Sequence, residues 1–149
     1  MTLENRLTVV SSETLHVSCV AIGDRAVLIE GRSGAGKSDL ALRLIDRGAR
    51  LVSDDYTLVI RDRDRLLATA PATIAGKIEV RGIGIIAMPA VDRVPVALLV
   101  ELTEDVERMP PDVVVRTIAG IKVPVVAVEG HYASAPIKVE LALKARAAQ

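Results

Sequence analysis

The chain has 149 residues, half of them hydrophobic, and equal numbers of basic and acidic residues, 19 of each. A chain of this length and apolar content can bury one core, so we expect residues 1–149 to form a single domain. The neutral charge balance gives no electrostatic argument for binding nucleic acid or an acidic membrane surface. The apolar stretches are too short to cross a membrane, and residues 1–10 lack the apolar segment of a signal peptide. We therefore expect a cytoplasmic protein.

The core is predicted to be aliphatic, because the sequence has no Phe or Trp and its only tyrosines are Tyr56 and Tyr132. A mixture of Val, Ile, Leu and Ala with regularly placed charges is typical of a globular chain. The single cysteine, Cys19, cannot form an internal disulfide, and its apolar surroundings predict a small buried residue.

The first predicted elements are two β-rich runs at residues 15–22 and 26–30, joined by a Gly23-Asp24 hairpin turn. A helix is predicted over residues 38–46, with an apolar face and Gly48 as its stop. Further strands are predicted at residues 50–53, 57–60, 66–69, 96–102, 113–118 and 121–128, and at the end of 79–86. A charged turn at 61–64, a polar loop at 103–112 and a helix at 135–148 complete the prediction. Few helices alternate with strands, which favours an α/β or α+β fold with a mixed or antiparallel sheet.

The segment between the hairpin and the first helix fits the phosphate-binding pattern G-x-x-x-x-G-K-[ST]. It consists of Gly31, Arg32, Ser33, Gly34, Ala35, Gly36, Lys37 and Ser38. The glycines let backbone N–H groups surround phosphate oxygens, and the helix that follows adds its N-terminal dipole. Lys37 can place a positive charge on the β- and γ-phosphates, and the Ser38 hydroxyl can ligate Mg²⁺. This P-loop, between a strand and a helix, predicts nucleotide binding.

A P-loop alone does not identify a substrate, but other features narrow the class of protein. A strand-turn-strand unit precedes this loop, whereas ordinary P-loop NTPases place the loop after a first parallel strand. No Asn-Lys-x-Asp motif is present, which argues against a GTPase, and the chain is short for motor, transporter or helicase machinery. Asp54 and Asp55 end a predicted strand, where paired carboxylates serve metal binding or proton abstraction, or simply form a solvated turn.

Five segments resemble the catalytic domain of HPr kinase/phosphorylase, in the same order and at similar spacings. They are Leu15-His16, the loop from Gly31 to Ser38, Asp54-Asp55, Glu79-Val80-Arg81-Gly82-Ile83-Gly84-Ile85-Ile86 and Gly120-Ile121-Lys122-Val123-Pro124. The resemblance runs from about Leu15 to about Leu143. The Glu-x-Arg-Gly-x-Gly signature together with the P-loop is far more specific than either motif alone.

The resemblance implies a bacterial kinase that transfers the γ-phosphate of ATP to a serine of HPr. HPr is the small phosphocarrier protein of the sugar phosphotransferase system, so a regulatory role in carbon and nitrogen metabolism is implied. The implied fold is like the nucleotide domain of phosphoenolpyruvate carboxykinase, and the implied assembly is a homo-oligomer, a hexamer. Many family members also remove the phosphate by phosphorolysis, which forms pyrophosphate.

The same resemblance implies roles for single residues around the acceptor. Asp55 is the implied base that accepts the serine proton, with Asp54 as its close support. His16 corresponds to the family's catalytic histidine, which could tune the charge state of Asp55; on its sequence alone it reads as a structural residue.

Three further residues are implied to act on the phosphates. Glu79 is implied to join Ser38 in holding Mg²⁺, or else it is a surface charge beside Lys77. Arg81 could offset phosphate charge or pair with Glu79. Arg108 corresponds to a catalytic arginine on a mobile loop, where it would stabilise the transferring phosphoryl group; the alternative is a solvated charge.

The sequence also departs from the family pattern. We expect a short form without the N-terminal domain of longer members and with a trimmed C-terminal end. The family's dephosphorylation motif, like Pro-x-Lys-Thr-Gly-Arg, is replaced by Glu129-Gly130-His131-Tyr132-Ala133-Ser134, without its Lys and Arg. Kinase activity is therefore better supported than phosphorylase activity. The alternatives are a P-loop kinase for another protein or small molecule, a non-catalytic nucleotide-sensing module, or a structural domain with a coincidental loop.

Overall fold

The strands and helices are taken from a computed structural model, which describes residues 11–110 and 112–146. The strands are β1 (Ser12–Leu15), β2 (Val17–Ile22), β3 (Arg25–Glu30), β4 (Arg50–Ser53), β5 (Thr57–Asp62), β6 (Arg65–Thr69), β7 (Lys77–Val80), β8 (Gly84–Ala87), β9 (Val94–Leu102), β10 (Val114–Ile118) and β11 (Ile121–Val128). The helices are α1 (Lys37–Asp46) and α2 (Ala135–Arg146). The predictions made for residues 1–10, for Pro111 in the polar loop and for residues 147–148 at the helix end lie outside the described residues.

One curled, mixed sheet contains nine of these strands, and seven of them follow one path in the order β1-β5-β6-β9-β3-β2-β4. Strand β11 runs parallel to the end of β9, and β10 pairs antiparallel with β11. The β3–β9 pair is also parallel, and the other pairs along the path are antiparallel. Strands β7 and β8 form a separate hairpin. The predicted mixed sheet of an α+β domain is confirmed.

The sheet divides the aliphatic core into two layers, because successive residues of a strand face opposite sides. Helices α1 and α2 cover one face, where Leu40, Leu44, Val139 and Leu143 pack against β2, β3, β9 and β11. The opposite face packs against β5, β6, β10 and β11, and its cluster includes the fully buried Cys19. Burial raises the pKa of the Cys19 thiol, which therefore stays neutral and packs as a small apolar group, as predicted.

The hairpin that leads into the P-loop is confirmed, with Gly23 at the positive φ of 63° that its turn requires. The predicted charged turn at residues 61–64 is shorter in the structure, because β5 and β6 continue pairing until Asp62 meets Arg65. The segment predicted to end in one strand forms the complete β7–β8 hairpin.

Helix α2 begins where predicted, and only some of its apolar residues are buried. Ile137 and Leu141 are 42% and 58% exposed, whereas Val139 and Leu143 are buried. The buried face therefore repeats every four residues, which matches one face of a helix. No helix among the described residues combines the length and apolar content that a membrane crossing needs.

Candidate active site

The site lies where the strand pairing between β1–β2 and β4–β5 is interrupted. Strand β1 pairs with β5 up to Leu15 opposite Thr57, and β2 pairs with β4 from Cys19 opposite Ser53. Between these pairs the backbone ladder is interrupted, and the side chains of His16 and Ser18 contact residues 54–56 instead. The sequence predicted one continuous run from residue 15, but the chain bends at His16 and leaves this histidine free of either strand.

Side chains replace part of the missing backbone pairing in this gap. The Ser18 hydroxyl accepts a hydrogen bond from the backbone N–H of Asp55 at 3.0 Å. The Thr57 hydroxyl, which is buried, donates to the carbonyl of Val17 at 2.8 Å. Buried backbone groups are costly when unpaired, so these two contacts allow the strands to separate here without losing the sheet.

The P-loop connects β3 to α1 on one side of this gap. Gly34 and Gly36 have φ values of 83° and 97°, which L side chains rarely adopt, and Gly36 caps the helix N-terminus. A Cβ on Gly31 would lie 3.0 Å from Cβ of Ala35 and 3.1 Å from Cβ of Leu102, so a larger residue would have to push these side chains aside. The buried Lys37 donates from Nζ to the carbonyl of Gly31 at 3.0 Å, which folds its side chain back across the loop.

Asp54 is a buried carboxylate that accepts three hydrogen bonds. Oδ1 accepts from the hydroxyls of Ser38 at 2.6 Å and Ser18 at 2.9 Å, and Oδ2 accepts from the backbone N–H of Glu79 at 2.9 Å. Hydrogen bonds to an ionised carboxylate are short and strong, which offsets the cost of burying the charge. One carboxylate therefore joins β2, the first turn of α1 and β7 at the P-loop.

Asp55, by contrast, is an exposed carboxylate held by a single side-chain contact. Its backbone has a φ of 67°, a conformation that is uncommon outside glycine, and its Oδ1 lies 2.8 Å from Nε2 of His16. An ionised carboxylate only accepts hydrogen bonds, so Nε2 of His16 is the donor in this contact. Within the part of the chain that the structure describes, Oδ2 of Asp55 has no hydrogen-bond partner and can receive a proton.

Two cavities flank the P-loop and share Ser33 and Gly34 in their walls. The larger, of about 750 Å³, is lined by the loop from Gly31 to Ala35, by His16, by residues of three acidic segments around 30, 101–105 and 129–131, and by Arg116, which pairs with the acidic residues Glu30 and Glu101. The smaller, of about 360 Å³, brings together eight predicted site residues. These are Ser33, Gly34, Gly36, Lys37, Ser38, Asp55, Glu79 and Arg81.

The oxygen atoms near Ser38 are of the kind that Mg²⁺ prefers. The Ser38 hydroxyl touches the Asp54 carboxylate, and Glu79 lines the same small cavity with an exposed side chain. Among the described residues no three His, Cys, Asp or Glu side chains cluster tightly enough to hold a metal alone. Magnesium sites in kinases usually combine one or two carboxylates with substrate phosphate oxygens, so the donors present fit that cation.

Arg108 is the predicted site residue that the structure does not bring to the others. It is exposed on the loop after β9 and is not among the residues that line either cavity. Its neighbours Val106 and Met109 are also exposed, at 41% and 75%.

Sequence reasoning missed three residues that contact the site. Ser18 joins Asp54 to the backbone of Asp55, and Tyr56 stacks on His16 with ring centroids 4.7 Å apart. His131 lines the larger cavity, and its Cε1 would lie 3.9 Å from a Cβ on Gly36. The register between β2 and residues 53–57 would have revealed Ser18 and Tyr56, but that register is a long-range property that the local sequence pattern does not contain.

A glycine loop that opens a helix, with a buried lysine and two carboxylates beside it, is the arrangement of proteins that bind nucleotides and transfer phosphoryl groups. The family model of the HPr Serine kinase C-terminal domain matches residues 8–133. The chain belongs to this family, which is a family of nucleotide-using kinases.

Relatives and a solved structure agree with this membership. The chain is 45% identical over 85 residues to an HPr kinase/phosphorylase of Bacillus subtilis, a match that covers 56% of this chain and 27% of that protein. It is 34% identical over 124 residues to an HPr kinase/phosphorylase of Chlorobium phaeobacteroides, covering 74% of this chain and 37% of the relative. The structure of the Hpr(Ser) kinase/phosphatase from Coxiella burnetii matches with a TM-score of 0.76 and 33% identity, over 89% of this chain and 95% of that chain.

The matches thus cover only 27% and 37% of the length of these two curated relatives. What the longer proteins do as a whole therefore bears on this chain only as a proposal.

Proposed function

We propose that the protein is an ATP-dependent serine protein kinase whose acceptor is HPr, and that residues 1–149 form its single catalytic domain. The observation that carries the proposal is the contact between His16, which lines the larger cavity, and Asp55, which lines the smaller cavity together with Lys37. It leaves one carboxylate oxygen of Asp55 available to an incoming hydroxyl. The family membership and the continuous sheet support the proposal further.

In the proposed reaction, the P-loop backbone and Lys37 bind the β- and γ-phosphates of ATP in the smaller cavity. Asp55 takes the proton from the serine hydroxyl as the serine oxygen forms its bond to the γ-phosphorus. The bond from the γ-phosphorus to the bridging oxygen breaks, and ADP leaves with that electron pair. His16 donates its hydrogen bond to Asp55 and holds the carboxylate in place. Arg81 and Arg108 are proposed to offset the charge of the transferring group.

Mg²⁺ is the proposed metal, with Ser38 and Glu79 as its protein ligands. When bound, it supplies positive charge that neutralises the phosphate oxygens. Asp54 accepts the hydrogen bond of the Ser38 hydroxyl and so aims the hydroxyl oxygen away from the core.

Phosphorylase activity is proposed to be weak or absent. The segment that replaces the family's basic motif brings Glu129 and His131 to the larger cavity, which Glu104 and Asp105 also line. Of the two arginines in this lining, Arg32 belongs to the P-loop and Arg116 is already paired with Glu30 and Glu101. Carboxylates repel inorganic phosphate, which would have to enter as the nucleophile. In an assay of serine-phosphorylated HPr with added inorganic phosphate, we expect slow dephosphorylation; rapid formation of pyrophosphate would refute this part.

A cytoplasmic location and a homo-oligomeric state, a hexamer, are also proposed, on the family resemblance and the need for ATP. Sedimentation of the purified chain tests the assembly. A single species of monomer mass over the micromolar range would exclude the hexamer.

The first experiment is incubation with Mg²⁺ and γ-labelled ATP, with and without HPr, for the natural protein and Asp55→Asn. We expect label on an HPr serine and about a thousandfold lower kcat in the variant, since a positioned base contributes roughly 10² to 10⁴. Asp64→Asn, an exposed aspartate in the β5–β6 turn, is the matched control and should transfer label normally.

The outcomes separate the alternatives. ATP binding without label on HPr, but with label on another protein or a small molecule, would indicate a kinase with a different acceptor. ATP binding without any transfer would indicate a nucleotide-sensing module. Absence of ATP binding would leave a structural domain with a coincidental loop.

A further inference from the structure

Tyr56 is an aromatic residue beside the candidate base to which the proposed reaction assigns no role. Its ring lies against the imidazole of His16, with centroids 4.7 Å apart and planes 17° from parallel. Tyr56 is 46% exposed, and it lines neither of the two cavities beside the P-loop. An exposed aromatic ring that packs on a histidine, and not on the core, restricts the orientation of that histidine.

His16 needs such support because its own surroundings do not hold it. The residue is in the bend between β1 and β2, and its side chain is 48% exposed. The hydrogen bond to Asp55 fixes the position of one ring atom, Nε2, but leaves the imidazole free to swing about that contact. A second ring stacked on its face removes this freedom, because it fixes the plane of the imidazole.

Tyr56 is itself well anchored by its backbone. Its N–H donates to the carbonyl of Asp54 at 2.7 Å, and its carbonyl accepts a hydrogen bond from the Ser53 hydroxyl. The next residue, Thr57, is buried and bonded to β2. Tyr56 therefore belongs to the same tight turn in which Asp55 has its positive φ. This turn positions both the candidate base, Asp55, and the tyrosine ring that stacks on His16.

We propose that Tyr56 is a positioning residue, which holds the plane of His16 so that Nε2 faces Asp55. The proposal deepens the proposed kinase function and rests on it for the catalytic consequence. The ring carries this task and the hydroxyl does not, since no hydrogen bond of the Tyr56 hydroxyl is found among the described residues. Phenylalanine should therefore replace tyrosine, and alanine should not.

A spectroscopic test reads the stack directly, without any assay of activity. The chain has only two histidines, His16 and His131, so the imidazole C–H resonances of His16 are identified by their persistence in His131→Gln. A stacked ring shifts these resonances upfield through its ring current. We expect a clear downfield shift in Tyr56→Ala and little change in Tyr56→Phe. Tyr132→Ala, which removes the other exposed tyrosine, should leave the His16 resonances in place.

Unshifted His16 resonances in Tyr56→Ala would overturn the proposal, whether or not the protein is a kinase. If the resonances shift but the natural protein transfers no phosphate, the stack is real and the kinase function has failed.

The catalytic consequence is tested by steady-state kinetics with HPr as acceptor. We expect kcat of Tyr56→Ala to fall about tenfold or less, as aromatic pairs are weak, with the KM for ATP unchanged. Tyr56→Phe should restore kcat to within about twofold of the natural protein. A raised KM for HPr with unchanged kcat in Tyr56→Ala would show that Tyr56 contacts the acceptor instead, and would overturn the positioning role.

Discussion

Asp54 and Asp55 are neighbours in the chain, yet they lie in opposite environments. Asp54 is 6% exposed and accepts three hydrogen bonds from three different elements. The side chain of Asp55 is 55% exposed and has one side-chain partner, His16. The positive φ of Asp55 is the local cause, because this turn sends the two consecutive carboxylates in different directions.

The difference separates two tasks within one site. The buried part, Ser18, Ser38 and Asp54, ties the P-loop to the sheet through the hydrogen bonds that the Asp54 carboxylate accepts. The exposed part, His16, Asp55 and Tyr56, keeps an open carboxylate oxygen for chemistry. Substitutions in the buried part should therefore cost stability, whereas those in the exposed part should cost turnover and little stability.

The largest effect that tests this division is expected at Asp54. Replacing Asp54 by Ala leaves two serine hydroxyls and the N–H of Glu79 without their acceptor, which should lower the free energy of unfolding by about 3 kcal/mol. Asp55→Ala should lower it by less than about 1 kcal/mol. Urea denaturation measures the free energy of unfolding of both variants. Equal losses would contradict the division of the site into a buried and an exposed part.

Lys37, a buried residue of the P-loop beside the buried part, tests nucleotide binding. Lys37→Ala removes the charge that we propose binds the phosphates, so the dissociation constant for ATP should rise about a hundredfold. Lys122→Ala, an exposed lysine on β11, is the matched control and should bind ATP normally. Isothermal titration calorimetry gives both constants; unchanged affinity in Lys37→Ala would exclude phosphate binding by this lysine.

Ser18 sharpens the comparison because it contacts both aspartates. Ser18→Ala removes a donor to Asp54 and the acceptor of the Asp55 N–H, for an expected loss of about 1–2 kcal/mol. Since that N–H holds the strained turn, kcat should fall as well, with the KM for ATP unchanged. Thermal denaturation together with kinetics tests this, and a loss of stability without any change in kcat would place Ser18 in the buried part alone.

The smallest effect is expected at Arg108. Its side chain is exposed and away from both cavities, so Arg108→Ala should change the free energy of unfolding by no more than about 0.5 kcal/mol. A lower kcat at this unchanged stability would support its proposed action on the transferring phosphoryl group. Unchanged kcat would leave Arg108 a solvated charge.

Much of the fold could be predicted because its signals are local. The Gly23-Asp24 turn, the helix after the P-loop and the strand at residues 50–53 each depend on residues close in sequence, and each is confirmed. The β1–β2 break at His16 was missed, because Leu15 and Val17 look like one continuous β-run. The sequence pattern did not predict which apolar residues of α2 are buried, since the partner of a helix face depends on how the sheet curls.

The sequence by itself determined the P-loop and the carboxylates after the following strand, since contiguous residues carry that chemistry. Only the tertiary structure decided how those carboxylates are used. His16 and Asp55 are 39 residues apart, and they meet because β1 pairs with β5 while β2 pairs with β4. Strand pairing of this kind is set by the packing of the whole sheet, so no local pattern could have revealed the Ser18 bridge or the Tyr56 stack.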